Sequence, residues 1–212
     1  MIRFFLLLLL SSSFTPSQAA ASEERKKIFQ DSIKALKGTG IEKKAPIPGQ
    51  IMKDLEISGV KLSERLKKGS VLLTFYRGGW CPYCVKQLKE IQERRDDFSR
   101  LKIQVIAISP ETSKEVEKTQ KKTGLTFEMI SDNDFLLANQ LGLTFKVDSK
   151  VEEVYRSLGI NLEESQGNKK NRLPVPATYL IGRDRKILYG FIDADYTKRA
   201  EIKDILDAAK GI

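Results

Sequence analysis

One stretch constrains this chain more than any other. An apolar run, VLLTFY (71–76), leads through Arg77, Gly78-Gly79 and Trp80 into Cys81-Pro82-Tyr83-Cys84, which holds both cysteines and begins beside the single tryptophan. A short continuous apolar, β-rich run is the pattern of a strand buried on both faces, as in a parallel sheet. Pro82 suits the first turn of a helix, and Val85, Leu88 and Ile91 then share one helical face. Both sulfurs are therefore expected where a buried strand hands the chain to the start of a helix. Gly78 and Gly79 let the backbone turn sharply there and let a substrate approach.

The rest of the sequence repeats this alternation. KLSERLKKGS (61–70) reads as a short helix with Ser63 as its cap and Gly69 as its stop. IQVIAIS (103–109) is a second buried strand, PETSKEVEKTQKKTG (110–124) a surface helix, FEMISD (127–132) a short strand and NDFLLANQLGL (133–143) a helix. Residues 148–172 are charged, carry no clear period and are read as a surface insertion. ATYLIGRDRKILYGFI (177–192) gives two strands around a polar turn at Arg183-Asp184. A last helix is expected from near Asp195, with Ile202, Ile205, Leu206 and Ala209 as its buried stripe. Strands alternating with helices predict an α/β fold around a mostly parallel central sheet, and the late hairpin adds an antiparallel edge.

The first residues stand apart. Arg3, the apolar run Phe4 to Leu10 and the small, polar residues up to Ala21 have the layout of a secretory leader, with cleavage expected after Ala19 or Ala21. That run is far shorter than the ~20 residues of a membrane span, so no stable membrane insertion is expected once the leader is removed. The predicted organisation is a leader over 1–21, a helical extension and Pro/Gly linker over 22–44 and one domain over 45–212. The net charge of +9 is spread along the chain. That is the pattern of a solvated surface, and no nucleic-acid partner follows from it.

Two thiols three residues apart admit a structural clip, a metal site or a redox centre. A disulfide closing so small a loop restricts the unfolded chain little. The chain has no histidine, so the pair offers two ligands where a structural zinc takes about four; no metal and no cofactor are implied. The same absence excludes a cysteine–histidine nucleophile. A redox pair remains, and the positive end of the helix dipole favours thiolate. On that ground Cys81, nearer the helix start, is expected to be the more acidic thiol. Trp80 either covers the sulfurs or belongs to the core.

KLSERLKKGSVLLTFYRGGWCPYCVKQLKEIQ, then VIAISPETSKEVEKTQKKTGLTFEMISDND, then LPVPATYLIGRDRKIL resembles the peroxiredoxin-like branch of the alkyl hydroperoxide reductase/thiol-specific antioxidant family, within the thioredoxin superfamily. The similarity spans residues 45–208. It implies a thioredoxin-like fold, a central mixed sheet flanked by helices, and thiol-based reduction of peroxides or disulfides. The typical peroxiredoxin pattern Pro-x-x-x-Thr-x-x-Cys, laid on this chain, puts Arg77 at the proline, Cys81 at the threonine and Cys84 at the peroxide-reactive cysteine. Pro176 stands at the late arginine. Read instead as a thioredoxin-type site, the resemblance implies Cys81 as nucleophile, Cys84 as resolving thiol and Pro176 as a facing cis-proline. Thr74 then lies near the place of that family's buried acid.

Two enzymatic readings follow from the resemblance. In one, a thiolate reduces a hydroperoxide, and Cys81 and Cys84 close a disulfide that a thioredoxin-like dithiol reopens. Arg77 either supplies the charge of the missing arginine or is a surface residue. In the other, an exported oxidoreductase exchanges disulfides with protein thiols. A non-catalytic module on the same scaffold is the third, opposed by the intact cysteine pair.

Overall fold

The computed structural model describes residues 16–210. The expected leader lies outside the described residues as far as position 15, and residues 16–21 open the first helix. In chain order the elements begin with α1 (Pro16–Gly38), α2 (Ile41–Lys44), β1 (Glu56–Ile57), β2 (Val60–Lys61), α3 (Leu62–Leu66), β3 (Ser70–Phe75) and α4 (Pro82–Glu93). Next come α5 (Arg95–Arg100), β4 (Ile103–Ser109), α6 (Ser113–Thr123), β5 (Glu128–Ser131), α7 (Leu136–Gln140) and β6 (Thr144–Lys146). The chain closes with α8 (Ser149–Ser157), α9 (Leu162–Gln166), β7 (Arg172–Pro174), β8 (Ala177–Ile181), β9 (Ile187–Ile192) and α10 (Ile202–Ala209).

Five strands form the central sheet in the order β5-β4-β3-β8-β9. β3, β4 and β5 run parallel, while β8 pairs antiparallel with both β3 and β9. The sheet is mixed, as the resemblance implies. Every residue of β3 is buried, and side chains alternate across a strand. Val71, Leu73 and Phe75 therefore enter one core with Leu62, Leu66 and Leu137. Leu72 and Tyr76 enter the other with Cys81, Cys84, Leu88, Ile91 and Ile205. Each such fully buried side chain contributes about 1.5–3 kcal/mol. The sulfurs thus sit at the end of a rigid, two-sided sheet.

Several sequence expectations need correction. Residues 148–172 are no surface insertion: they form α8, α9 and the start of β7. Val151, Tyr155 and Leu162 are buried there with Val147 and Leu173, and Asp148 caps α8 by accepting from the Lys150 N–H. Ser63 caps nothing, since α3 is preceded by Lys61; its N–H and hydroxyl bind the Asp54 carboxylate at 2.8 and 2.9 Å. The last helix begins at Ile202, not near Asp195. Residues 193–201 form a turned loop, in which the Asp195 carboxylate accepts from the Thr197 N–H and hydroxyl. Such local carboxylate bonds compete with helix.

The bond before Pro176 is trans, against the cis-proline of the thioredoxin-type reading. Pro176 is buried between β7 and β8, and the Val175 N–H donates to the Leu143 carbonyl at 2.8 Å. Ala177 then pairs at once with Phe75. The trans form before proline is favoured by about 0.5–1 kcal/mol.

Candidate redox site

Cys81 is the residue before α4, in extended conformation, and its carbonyl accepts the first helical bond from Val85 N–H at 3.0 Å. Cys84 lies one turn in. Both thiols are free and buried, at 1% and 0% exposure, with their sulfurs 2.7 Å apart. The two glycines are needed for packing against the protein itself. A side chain on Gly78, whose φ is 152°, would strike Trp80 and Glu111, and one on Gly79 would strike Thr119.

The decisive neighbour is one the sequence did not reveal. Arg199, from the loop between β9 and α10, places Nη2 3.1 Å from Cys84 Sγ and 3.9 Å from Cys81 Sγ. Its Nη1 is held by the Tyr196 and Lys198 carbonyls. The acidities follow. Burial works against a Cys84 thiolate, but the Cys81 thiol, the Arg199 guanidinium and Arg77 outweigh it and bring Cys84 down to about 6. Cys81 moves up, because its contact with Cys84 and its burial both favour the proton. The nearer guanidinium favours Cys84, against the expectation that Cys81 would be the more acidic thiol. A helix terminus contributes typically 0.3–1 kcal/mol, and an opposite charge in direct contact on a buried group exceeds that.

Arg77 is no surface residue. It is 3% exposed, donates to the Tyr155 hydroxyl and has its guanidinium 4.1, 5.0 and 5.4 Å from the ring centres of Tyr196, Trp80 and Tyr155. Aromatic faces hold a desolvated cation by about 2 kcal/mol or more. Its charge lowers both thiols and its backbone N–H also bonds the Cys84 sulfur, while the guanidinium in contact with the sulfurs is that of Arg199. Trp80 is half-buried and packs against both the sulfur-bearing core and the α8 cluster. Thr74 is buried in a hydroxyl pair with Thr178 at 3.2 Å.

A buried acid is present, but from elsewhere. Glu111, just past β4, is 3% exposed and accepts from the Gly79 N–H at 2.9 Å and the Ser109 hydroxyl at 3.3 Å. Burial raises it to about 7. The structure thus brings Cys81, Cys84, Arg77 and Trp80 together, and leaves Thr74 beneath α4 and Pro176 between β7 and β8. It adds Arg199, Glu111, Tyr155 and Tyr196. The spacing of Val147, Val151, Val154 and Tyr155 is the one sequence signal that points to the wall around Arg77.

A mixed sheet with two adjacent thiols at a strand-to-helix junction and a guanidinium against one of them is a peroxiredoxin/thioredoxin-like fold with a candidate thiol site. The family model described as AhpC/TSA family matches residues 43–189, and the chain belongs to that family. Two chains named as peroxiredoxins in Mycobacterium tuberculosis, strains H37Rv and CDC 1551, are each 23% identical over 141 residues, 66% of this chain and 78% of theirs. Among solved structures, peroxidoxin BcpB of Mycobacterium tuberculosis superposes with a TM-score of 0.59 at 19% identity, covering 78% of this chain and 97% of that one. Reduced Prx3 of Vibrio vulnificus, solved in complex with hydrogen peroxide, gives 0.58 at 14% identity, over 77% and 99%.

Proposed function

We propose that this protein is an exported thiol peroxidase in which Cys84 attacks and Cys81 resolves. The observation that carries the reading is the Arg199 contact at 3.1 Å from Cys84 Sγ. A guanidinium there favours thiolate over thiol, and thiolate is the attacking form. The Cys84 thiolate attacks one oxygen of the O–O bond, which breaks; the other oxygen leaves as alkoxide or hydroxide and takes a proton. Cys84 becomes a sulfenic acid, oxidised by two electrons, and the peroxide is reduced to an alcohol or water. Cys81, 2.7 Å away, then attacks the sulfenic sulfur and expels water, which closes the Cys81–Cys84 disulfide. A thioredoxin-like dithiol reduces it by exchange and returns both thiols.

Burial favours a small substrate. Neither sulfur lines the open groove beside α4, which is formed by Trp80, Pro82, Val85, Lys86, Lys89 and Glu93 among others. A hydroperoxide needs far less room than a protein disulfide, and exchange with the reducing dithiol requires the buried pair to open. Export rests on the leader-like layout of residues 1–21, and N-terminal sequencing of the secreted or periplasmic protein checks it, with a start near Ala20 or Ser22 expected.

The test is a side-by-side assay of peroxide consumption and protein-disulfide reduction on the reduced protein. The peroxidase reading expects rapid peroxide loss at neutral pH and slow disulfide reduction. Cys81→Ser should still trap sulfenic acid on Cys84. Peroxide loss no faster than with a free thiol, alongside fast disulfide reduction, would replace this reading by disulfide exchange.

A further inference from the structure

The family match covers residues 43–189, yet the guanidinium at the sulfurs comes from residue 199. The loop that carries it is held in part by α1 and by Glu42, both of which precede the matched region. The Phe29 ring meets Tyr196 edge-on at 5.8 Å and Tyr155 at 5.7 Å. Lys37 Nζ lies 3.4 Å from the Asp193 carboxylate. Glu42 Oε1 accepts from the Ala194 backbone N–H at 2.7 Å. Tyr196, pressed between Phe29, Tyr83 and the Arg77 guanidinium, offers the carbonyl that holds Arg199 Nη1.

We propose that the N-terminal helical segment is a positioning element of the redox site: Phe29 and Glu42 fix the 193–200 loop and thereby hold Arg199 against Cys84. The inference rests on the reading of Cys84 as the attacking thiolate. Its chemical content is specific. The loop has no regular secondary structure, and one guanidinium moved by a few ångströms no longer touches a sulfur. The thiolate then loses its direct counter-charge while the sheet stays intact. Cleavage after Ala19 or Ala21 leaves Phe29, Lys37 and Glu42 in the mature chain, so the device survives export.

The alternative is that α1 merely covers the apolar face of α8. The two differ in what the thiol titration does. In the full chain, the Cys84 thiolate is titrated by its ultraviolet absorbance, with melting measured alongside. Arg199→Met sets the reference shift, about one unit or more upward, as expected for loss of a contacting opposite charge. Phe29→Ala and Glu42→Ala should each move the apparent value upward by at least half that amount, and neither should add to Arg199→Met. Glu42→Gln keeps an oxygen that accepts the Ala194 N–H and should restore the native titration. Lys26→Ala, which breaks only an exposed pair with Glu23, should leave it unchanged. If Arg199→Met shifts the titration and the folded Phe29→Ala and Glu42→Ala variants do not, the positioning role is wrong and α1 is a cover. If Arg199→Met itself changes nothing, the reading of the site fails first and the inference falls with it.

Discussion

The site is assembled from two regions that differ in kind. β3, β4, β5, β8 and α4 lie within the family match, and they place both sulfurs through buried strands and a regular helix. The 193–200 loop lies beyond it and delivers Arg199 through a few polar bonds and ring contacts. The first region places the two sulfurs; the second sets a guanidinium against Cys84. In the proposed peroxidase the family's fold is kept while the counter-charge to the thiolate comes from beyond the matched region. Here Pro176 occupies the place where the resemblance implies an arginine, and Arg199 reaches the sulfurs instead.

The largest expected effect is on the sheet-borne side of this division. Cys84→Ser should abolish peroxide reduction, whereas Cys81→Ser should keep one turnover and accumulate sulfenic acid, read by dimedone labelling and peptide mapping. Equal loss in both at the first step would mean that the two sulfurs are not divided into attacker and resolver. Next is the loop-borne side. Arg199→Met should lower the peroxide rate about fivefold or more at pH 6, where the native Cys84 is half ionised and the variant mostly thiol. The deficit should shrink above pH 8. A deficit constant with pH would assign Arg199 to binding peroxide rather than to the thiolate.

A smaller effect concerns Glu111, which ties the glycine turn to β4. Its folded value, about 7, lies above the ordinary 4.5, so the native state holds the proton more tightly than the unfolded one. Stability from this group is full below pH 4.5 and is lost as pH rises through 7, by about 3 kcal/mol. Cys84 acts in the opposite sense in the reduced protein. Its folded value is below the ordinary 9.0, so its contribution is full above pH 9 and is lost as pH falls through 6. Glu111→Gln keeps an oxygen for the Gly79 N–H and should flatten the decline between pH 4.5 and 7 in denaturant melts; an unchanged slope would show that Glu111 is already ionised there. The smallest effect is Tyr155→Phe, which removes the bond from Arg77 and should destabilise by about 1.5–3 kcal/mol with little change in the Cys84 titration. A large change there would shift the role of Arg199 to Arg77.

What the sequence made legible follows the same division. β3, β4, α4 and the late hairpin announce themselves by uninterrupted apolar runs and one-faced periodicity, so the positions of Cys81 and Cys84 at a strand-to-helix junction follow from pattern alone. Arg199 carries no such signal. It lies in DYTKRAE, where local carboxylate bonds hold a non-helical loop, and nothing nearby in sequence shows that this loop folds back over the sulfurs. Glu111 looks like the first turn of a surface helix until β4 and the Gly79 N–H bury it. α8 was legible in principle, but its stripe spans only nine residues among many charges. Acidity was the hardest to read. The helix terminus is visible in sequence and favours Cys81, whereas the stronger guanidinium contact spans 115 positions along the chain.

In the proposed mechanism Cys84, not Cys81, is the thiolate of the reduced pair. The direct measurement is the pH titration of thiolate absorbance in the reduced native protein and in the two single serine variants. A thiolate appearing near pH 6 in the native protein, lost in Cys84→Ser and retained in Cys81→Ser, is the predicted result. A thiolate that persists near pH 6 in Cys84→Ser and disappears in Cys81→Ser would contradict it.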